Sequence, residues 1–178
     1  MIRNKKWQFL LFLFSVSSAN AEIRSGSLYE LPAKFQSTSG ETVSLSKWKG
    51  TPIVITMTYT SCQSACPRIT EKMKNVQKYF NSKGRKAQFI IGTFDPSRDT
   101  PKRLKTHQDA IGDLAKEWSL LSGTDSAMRQ LSMVLGIRYE KNPETGNISH
   151  DNKILITNDK GEIVQELNGL NADVSEIK

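Results

Sequence analysis

Cysteine and histidine are scarce in this sequence, which has two of each in 178 residues. Cys62 and Cys66 are four positions apart, so a disulfide between them would close too short a loop to stabilise the fold much. A fold held together by several disulfides is therefore excluded, and a chain of this length can bury a single-domain core without such links. We infer that the two cysteines carry chemistry rather than stability.

The sequence also lacks a hydrophobic run long enough to cross a membrane. The apolar residues 7–16 fall well short of the roughly 20 that a bilayer span needs. They follow a basic start and precede Ala19-Asn20-Ala21, an order typical of a secretory signal peptide cleaved after Ala21. We expect residues 1–21 to be removed and a soluble mature domain to work in the periplasm, near the membrane. The alternative is an uncleaved N-terminal anchor.

The excess of positive charge is small. The formal net charge is +7, but the signal peptide supplies three basic residues and no acidic one, which leaves 22 basic and 18 acidic residues in the mature chain. These charges are interspersed and form no basic patch with interleaved aromatic residues. Nucleic-acid binding is therefore excluded as a function.

Apolar strands alternate with amphipathic helices through the rest of the chain. After an unpatterned lead-in at residues 22–34, one domain is expected at residues 35–178, beginning with a hairpin around Ser39-Gly40. The later patterns predict strands at residues 52–59, 87–94, 119–121, 153–157 and 162–167, and helices at residues 66–82, 101–111 and 124–135. This α/β order predicts a central sheet with helices on both faces.

The cysteine pair occurs where the first long strand gives way to a helix. Sites in α/β folds lie at the carboxyl ends of such strands, and Pro67 suits the first turn of the helix. The helix N-terminus is expected to lower the pKa of Cys66 and favour its thiolate, which both metal binding and thiol exchange require. Two thiolates with three residues between them can face one point and form a soft pair of ligands that suits Cu(I).

The two histidines differ in their surroundings. His107 lies in a polar helix and is expected to be a solvated surface residue, whereas His150 lies in a polar loop just before the strand at residues 153–157. From that loop His150 can reach the site and supply a third ligand. Two cysteines and one histidine leave a structural zinc site one ligand short, while copper accepts three, so the residue types favour copper over zinc.

Two further groups of residues have structural interpretations. The segment at residues 95–101 is expected to form a turn, with Asp99 or Thr100 capping the next helix. Met57, Met73, Met128 and Met133 are soft enough for copper, but they fall within strand and helix patterns, which indicates that they fill the core.

Several motifs occur in a recognisable order across nearly the whole mature chain: Thr58-Tyr59-Thr60-Ser61-Cys62 with Cys66-Pro67, Phe94-Asp95-Pro96-Ser97-Arg98-Asp99-Thr100-Pro101, Leu121-Ser122-Gly123-Thr124, and His150. With these motifs the chain resembles the Sco/SenC family. The resemblance implies a thioredoxin-like fold and one copper ion bound by Cys62, Cys66 and His150. It also implies a role in assembling the dinuclear copper site of cytochrome c oxidase, whose subunit would be the partner.

The chain departs from the family pattern at two places. Many members carry proline and an acidic residue between the cysteines, where this chain has Gln63-Ser64-Ala65, and many carry aspartate before the histidine, where Ser149 stands. These positions are not ligands, so the departures are expected to affect redox potential, affinity and partner choice rather than metal binding itself.

A thiol-disulfide oxidoreductase is the main alternative function. Cys62 would attack the disulfide of a partner and Cys66 would resolve the mixed disulfide. Against it, the spacing is CxxxC rather than the CxxC of thioredoxins, and no proline lies between Pro143 and the strand at residues 153–157 in the place of their cis-proline. A peroxidase fits less well, because Tyr59 stands where the peroxiredoxin pattern needs threonine.

Overall fold

The computed structural model describes residues 26–62 and 65–177, so the predicted signal peptide lies outside the described residues. The strands are β1 (Phe35–Gln36), β2 (Thr42–Val43), β3 (Ile53–Thr58), β4 (Gln88–Thr93), β5 (Ser119–Gly123), β6 (Tyr139–Lys141), β7 (Ile148–His150), β8 (Lys153–Thr157) and β9 (Ile163–Asn168). The α-helices are α1 (Ala65–Ser82), α2 (Pro101–Ile111) and α3 (Asp125–Leu135). None of the helices in the described part of the chain has the length and apolar content of a membrane span.

Within the described residues, seven strands form one mixed sheet in the order β2-β1-β5-β4-β3-β8-β9. The three strands β3, β4 and β5 run parallel, and β8 pairs antiparallel with β3 on the other side. Every residue of β3 is buried, as expected for an apolar run in the middle of a sheet. The predicted N-terminal hairpin is present as β1 and β2, and it extends the sheet because β1 pairs with β5.

Helices cover both faces of this sheet. The apolar positions of α1 recur at helical spacing and pack, with Leu104 of α2 and with Trp118, against one face. Helix α3 and the N-terminal segment pack against the other face, where Leu28, Tyr29 and Ala33 join the same core. The unpatterned lead-in is therefore packed against the domain from the 3-10 helix Leu28–Glu30 onwards.

Two glycines allow α3 to pack closely and to end cleanly. A Cβ atom on Gly92, in the middle of β4, would lie 2.8 Å from the Leu131 Cδ2 atom of α3. Gly136 ends α3 in the left-handed conformation, with φ of 63°, which glycine adopts without the usual steric penalty.

The structure differs from the sequence-based expectations at two positions outside the sheet. Strands β6 and β7 form a separate two-stranded hairpin in a stretch that was expected to be a polar loop. Its strands are three residues each and largely polar, so they give no apolar alternation to detect. The expectation that Met133 fills the core is wrong: Met133 is 70% exposed, whereas Met57, Met73 and Met128 are buried.

Candidate metal centre

The cysteines lie in a tight connection between β3 and α1. The Cys62 amide donates to the Tyr59 carbonyl oxygen at 3.2 Å, which turns the chain directly after the strand. Cys66 lies in the first turn of α1, and its amide donates to the Cys62 sulfur at 3.3 Å. Cys66 is buried and Cys62 is half-buried. The chain therefore holds one thiol at the surface and the other beneath it.

His150 is the last residue of β7, and its orientation is fixed on several sides. Its Nδ1 atom lies 3.0 Å from the Asp151 carbonyl oxygen. A carbonyl oxygen only accepts hydrogen bonds, so Nδ1 carries the proton and Nε2 keeps the lone pair that a metal needs. The Phe94 ring lies against the imidazole, with centroids 4.6 Å apart, and Tyr59 meets it edge-on at 6.0 Å.

The sequence-predicted ligands come together in the structure. One ligand atom from each of Cys62, Cys66 and His150 lies within 4.8 Å of the other two. A three-coordinate ion with bonds of about 2.0–2.3 Å holds its ligands about 3.5–4.0 Å apart, so the atoms need to close by at most about 1.3 Å. The donor set therefore fits a metal ion with little rearrangement. His107 is outside this group and is half-buried, which corrects the expectation of a solvated side chain.

The expected lowering of the Cys66 pKa is wrong for the metal-free protein. Burial raises the pKa of the Cys66 thiol, and the neighbouring Cys62 sulfur adds to this effect. Loss of solvation thus outweighs the hydrogen bond with the Tyr59 backbone, which lowers the pKa of Cys66. Because a metal binds the thiolate, binding at Cys66 must release a proton.

Asp99 supports the cysteine loop (residues 59–62), a role that the sequence analysis missed. Its carboxylate is fully buried and accepts hydrogen bonds from the Thr60 amide at 3.0 Å and from the hydroxyls of Thr60 and Thr93. On the solvent side, Arg103 donates a hydrogen bond to the Thr60 hydroxyl at 2.7 Å. Of the two predicted helix caps, Thr100 is the one that caps α2, so Asp99 is free to face inward.

Asp95 holds the β6–β7 hairpin (residues 139–150) through side-chain hydrogen bonds, as Asp99 holds the cysteine loop. Its buried carboxylate accepts hydrogen bonds from Lys141 of β6 at 3.1 Å, from the Ser97 hydroxyl at 2.9 Å and from Arg98. Burial alone would raise the pKa of Asp95, but the hydrogen bonds from Arg98, Ser97 and Lys141 hold it below its ordinary value. Arg98 also donates to the Gly146 carbonyl oxygen at 2.8 Å.

A cleft of about 680 Å³ opens beside the half-buried Cys62 thiol. Its lining combines the cysteine loop with the histidine hairpin and consists of Tyr59, Ser61, Cys62, Arg98, Asn147, Ile148 and Ser149. The Cys62 side chain is therefore accessible from this cleft.

Two thiols in the connection from a central strand to a helix, completed by a histidine from a distant hairpin, define a thioredoxin-like domain with a Cys2His ligand set. The SCO1/SenC family model matches residues 22–177, so the chain belongs to that family. The resemblance drawn from the sequence motifs and the thioredoxin-like fold that it implied are both confirmed.

Individual relatives agree with this assignment. A SCO1 protein homolog of Bacillus subtilis is 26% identical over 164 residues, which cover 90% of this chain and 85% of the relative. The crystal structure of a SCO1/SenC family lipoprotein from Bacillus anthracis matches with a TM-score of 0.73 and 24% identity, covering 80% of this chain and 86% of that one. Yeast Sco1, solved with copper bound, gives a TM-score of 0.70 at 19% identity, covering 81% and 83%.

Proposed function

We propose that this protein binds one copper ion through Cys62, Cys66 and His150 and passes it to a partner protein. The observation that carries the proposal is the convergence of the three ligand atoms to within 4.8 Å of one another. Two thiolates and one imidazole are soft to intermediate ligands, which suit copper better than magnesium or calcium and leave zinc short of its fourth ligand. Copper is also the metal bound in the yeast relative.

The unequal exposure of the two thiols suits transfer of the ion. Cys62 is half-buried at the edge of the cleft, so an incoming thiolate or imidazole can replace it first. Cys66 is buried and can retain the ion until the new ligands are in place. Such a ligand exchange keeps copper bound to protein at each step, and it needs no change in oxidation state.

The recipient that best fits family membership is a subunit of cytochrome c oxidase with its dinuclear copper site. The signal-like pattern of residues 1–21 supports delivery outside the cytoplasm, in the periplasm, as part of this proposal.

Thiol-disulfide exchange is a second candidate, favoured by the contact between the two cysteines. The Cys66 amide lies 3.3 Å from the Cys62 sulfur, and the two cysteines are not joined by a disulfide in the structure. An accessible attacking thiol beside a buried resolving thiol suits thiol-disulfide exchange, whose rate depends on access to the attacking sulfur. The imidazole of His150 has no necessary part in that reaction, which separates the two candidates.

Copper stoichiometry and visible absorption of the reduced protein test the proposal. We expect one copper per chain, with binding much weakened in Cys62→Ala, Cys66→Ala and His150→Ala. His107→Ala is the matched control, because it removes the other histidine of the chain outside the ligand group. Wild-type protein without copper, or His150→Ala protein that binds as well as His107→Ala protein, would overturn the proposed ligand set. Retained disulfide reduction by His150→Ala would then support the second candidate.

A further inference from the structure

We propose that Asp95 and Asp99 are positioning residues that together set the spacing between the thiol pair and the imidazole. Both belong to the β4–α2 loop (residues 94–100), which contributes none of the proposed ligands. The inference rests on the proposed function, because it explains how the two thiols and the imidazole of that ligand set are held at a fixed distance from each other.

Asp99 holds the half that carries the thiols. Its two carboxylate oxygens accept the amide and the hydroxyl of Thr60, which lies two residues before Cys62. Arg103 reinforces the contact by donating to the hydroxyls of Thr60 at 2.7 Å and Ser61 at 3.2 Å. A fully buried carboxylate without these partners would be costly, so the cysteine loop is held firmly against it.

Asp95 holds the half that carries the imidazole. Lys141, on β6, reaches its carboxylate at 3.1 Å, and Arg98 joins the same carboxylate to the Gly146 carbonyl oxygen at the turn of the hairpin. Asp95 therefore holds the turn end of the hairpin, directly through Lys141, the last residue of β6, and through Arg98 at Gly146. His150 lies on β7 opposite Tyr139 of β6, so a shift of the hairpin moves the imidazole with it.

The two carboxylates are fixed relative to each other by the backbone of the loop. The amides of Arg98 and Asp99 donate to the Asp95 carbonyl oxygen at 3.1 and 2.8 Å, which forms one compact turn. Asp95 and Asp99 are 1% and 0% exposed, so neither can relax into solvent. One rigid turn thus connects two segments that are far apart in sequence.

The two attachments differ in their expected effect on the two copper oxidation states. Two thiolates retain Cu(I) well, whereas Cu(II) depends more strongly on the imidazole. Loosening the Asp95 attachment should therefore weaken Cu(II) binding more than Cu(I) binding. Loosening the Asp99 attachment disturbs the thiols and should weaken the binding of both ions.

The experiment measures Cu(I) and Cu(II) dissociation constants of the purified protein and its Asp95→Asn, Arg98→Gln and Asp99→Asn variants. We expect about a 10-fold or larger loss of Cu(II) affinity in Asp95→Asn, with a clearly smaller loss for Cu(I). Arg98→Gln, a partly exposed position, tests the same attachment if Asp95→Asn does not fold. Asp113→Asn is the control, since it removes a surface carboxylate paired with Lys116 away from the site.

A double-mutant comparison separates positioning from general destabilisation. In a His150→Ala background the imidazole is gone, so Arg98→Gln should no longer change Cu(II) affinity, whereas a merely structural effect would persist. Equal losses for Cu(I) and Cu(II), or an undiminished effect in the His150→Ala background, would overturn the positioning role of Asp95. Failure of the ligand set itself would appear separately, as unchanged copper binding in the His150→Ala single variant.

Discussion

The ring of Phe94 lies against the imidazole of His150, with ring centroids 4.6 Å apart and the planes inclined by 32°. Phe94 comes directly before Asp95, so the chain that leaves β4 contacts both the histidine and the hairpin that carries it. Tyr59 closes another side of the imidazole at 6.0 Å. The orientation of His150 is therefore set by aromatic packing as well as by the hydrogen bond of its Nδ1 atom.

Replacing Phe94 with leucine should weaken Cu(II) binding by about 10-fold, because the imidazole loses the flat surface that restricts its rotation. Competition titration against a chelator of known affinity measures the change. Phe89→Leu is the matched control, since Phe89 is also buried but stacks on Trp118 in the core on the opposite face of the sheet. We expect both variants to lose about 1–3 kcal/mol of stability. Equal copper affinities in the two variants would show that Phe94 does not orient His150.

Adding one methyl group at Gly92 should destabilise the fold by about 1–3 kcal/mol, since the buried side chains of α3 that pack on it must shift to make room. The new Cβ atom would meet Leu131 at 2.8 Å and Met128 at 3.2 Å. Urea unfolding of Gly92→Ala measures the loss. Gly26→Ala is the control, because a Cβ atom there meets nothing within 4 Å. A Gly92→Ala protein as stable as the control would mean that α3 does not pack against β4 this closely.

The contribution of Asp95 to stability should depend on pH. Because its pKa in the folded protein lies below the unfolded value of about 3.9, its ionised form stabilises the fold above that value. This contribution is lost as the pH falls through the lower, folded-state pKa. Asp95→Asn should thus be less stable than wild type by about 1–3 kcal/mol near neutral pH, and the gap should narrow in acid.

Unfolding free energies of wild type and Asp95→Asn, measured from neutral pH down to about pH 3, test this dependence. Asp113→Asn serves for comparison, because the Asp113 carboxylate is exposed and its ion pair with Lys116 is screened by water. The Asp113→Asn substitution should change the free energy of unfolding little at any pH in this range. A stability gap for Asp95→Asn that stays constant with pH would contradict a buried, ionised Asp95.

The two thiols should react at different rates in the reduced, metal-free protein. Cys62 borders the cleft, whereas Cys66 is 3% exposed and burial raises its pKa, so less of it is present as the reactive thiolate. Alkylation followed by peptide mass spectrometry should find Cys62 modified first. Unfolding in urea is the control, since it should bring the two rates close together. Faster modification of folded Cys66 would contradict the arrangement of an outer and an inner thiol.

Sequence reasoning identified most of the sheet because its strands are apolar and its helices have clear periodicity. It also identified Cys62, Cys66 and His150 as candidate ligands, since their chemistry is specific and each residue type occurs only twice. Asp95 and Asp99 were interpreted as parts of a turn, because a buried carboxylate is recognised by its distant partners and these cannot be read from local sequence. The pKa of Cys66 was misjudged for the same reason: a helix start is visible in the sequence, but the depth of burial is not.

The β6–β7 hairpin is a two-stranded unit outside the main sheet, yet it supplies one of the three proposed ligands. Cys66 and His150 are separated by nearly half of the chain, so an ion bound to both would act as a cross-link across a very long loop. A metal ion that binds only the folded state raises the free energy of unfolding. The increase grows with the logarithm of the ratio of free metal concentration to dissociation constant. Copper-loaded protein should therefore resist unfolding and proteolysis more than copper-free protein. Once the protein has released its ion, it would be the form that is degraded faster.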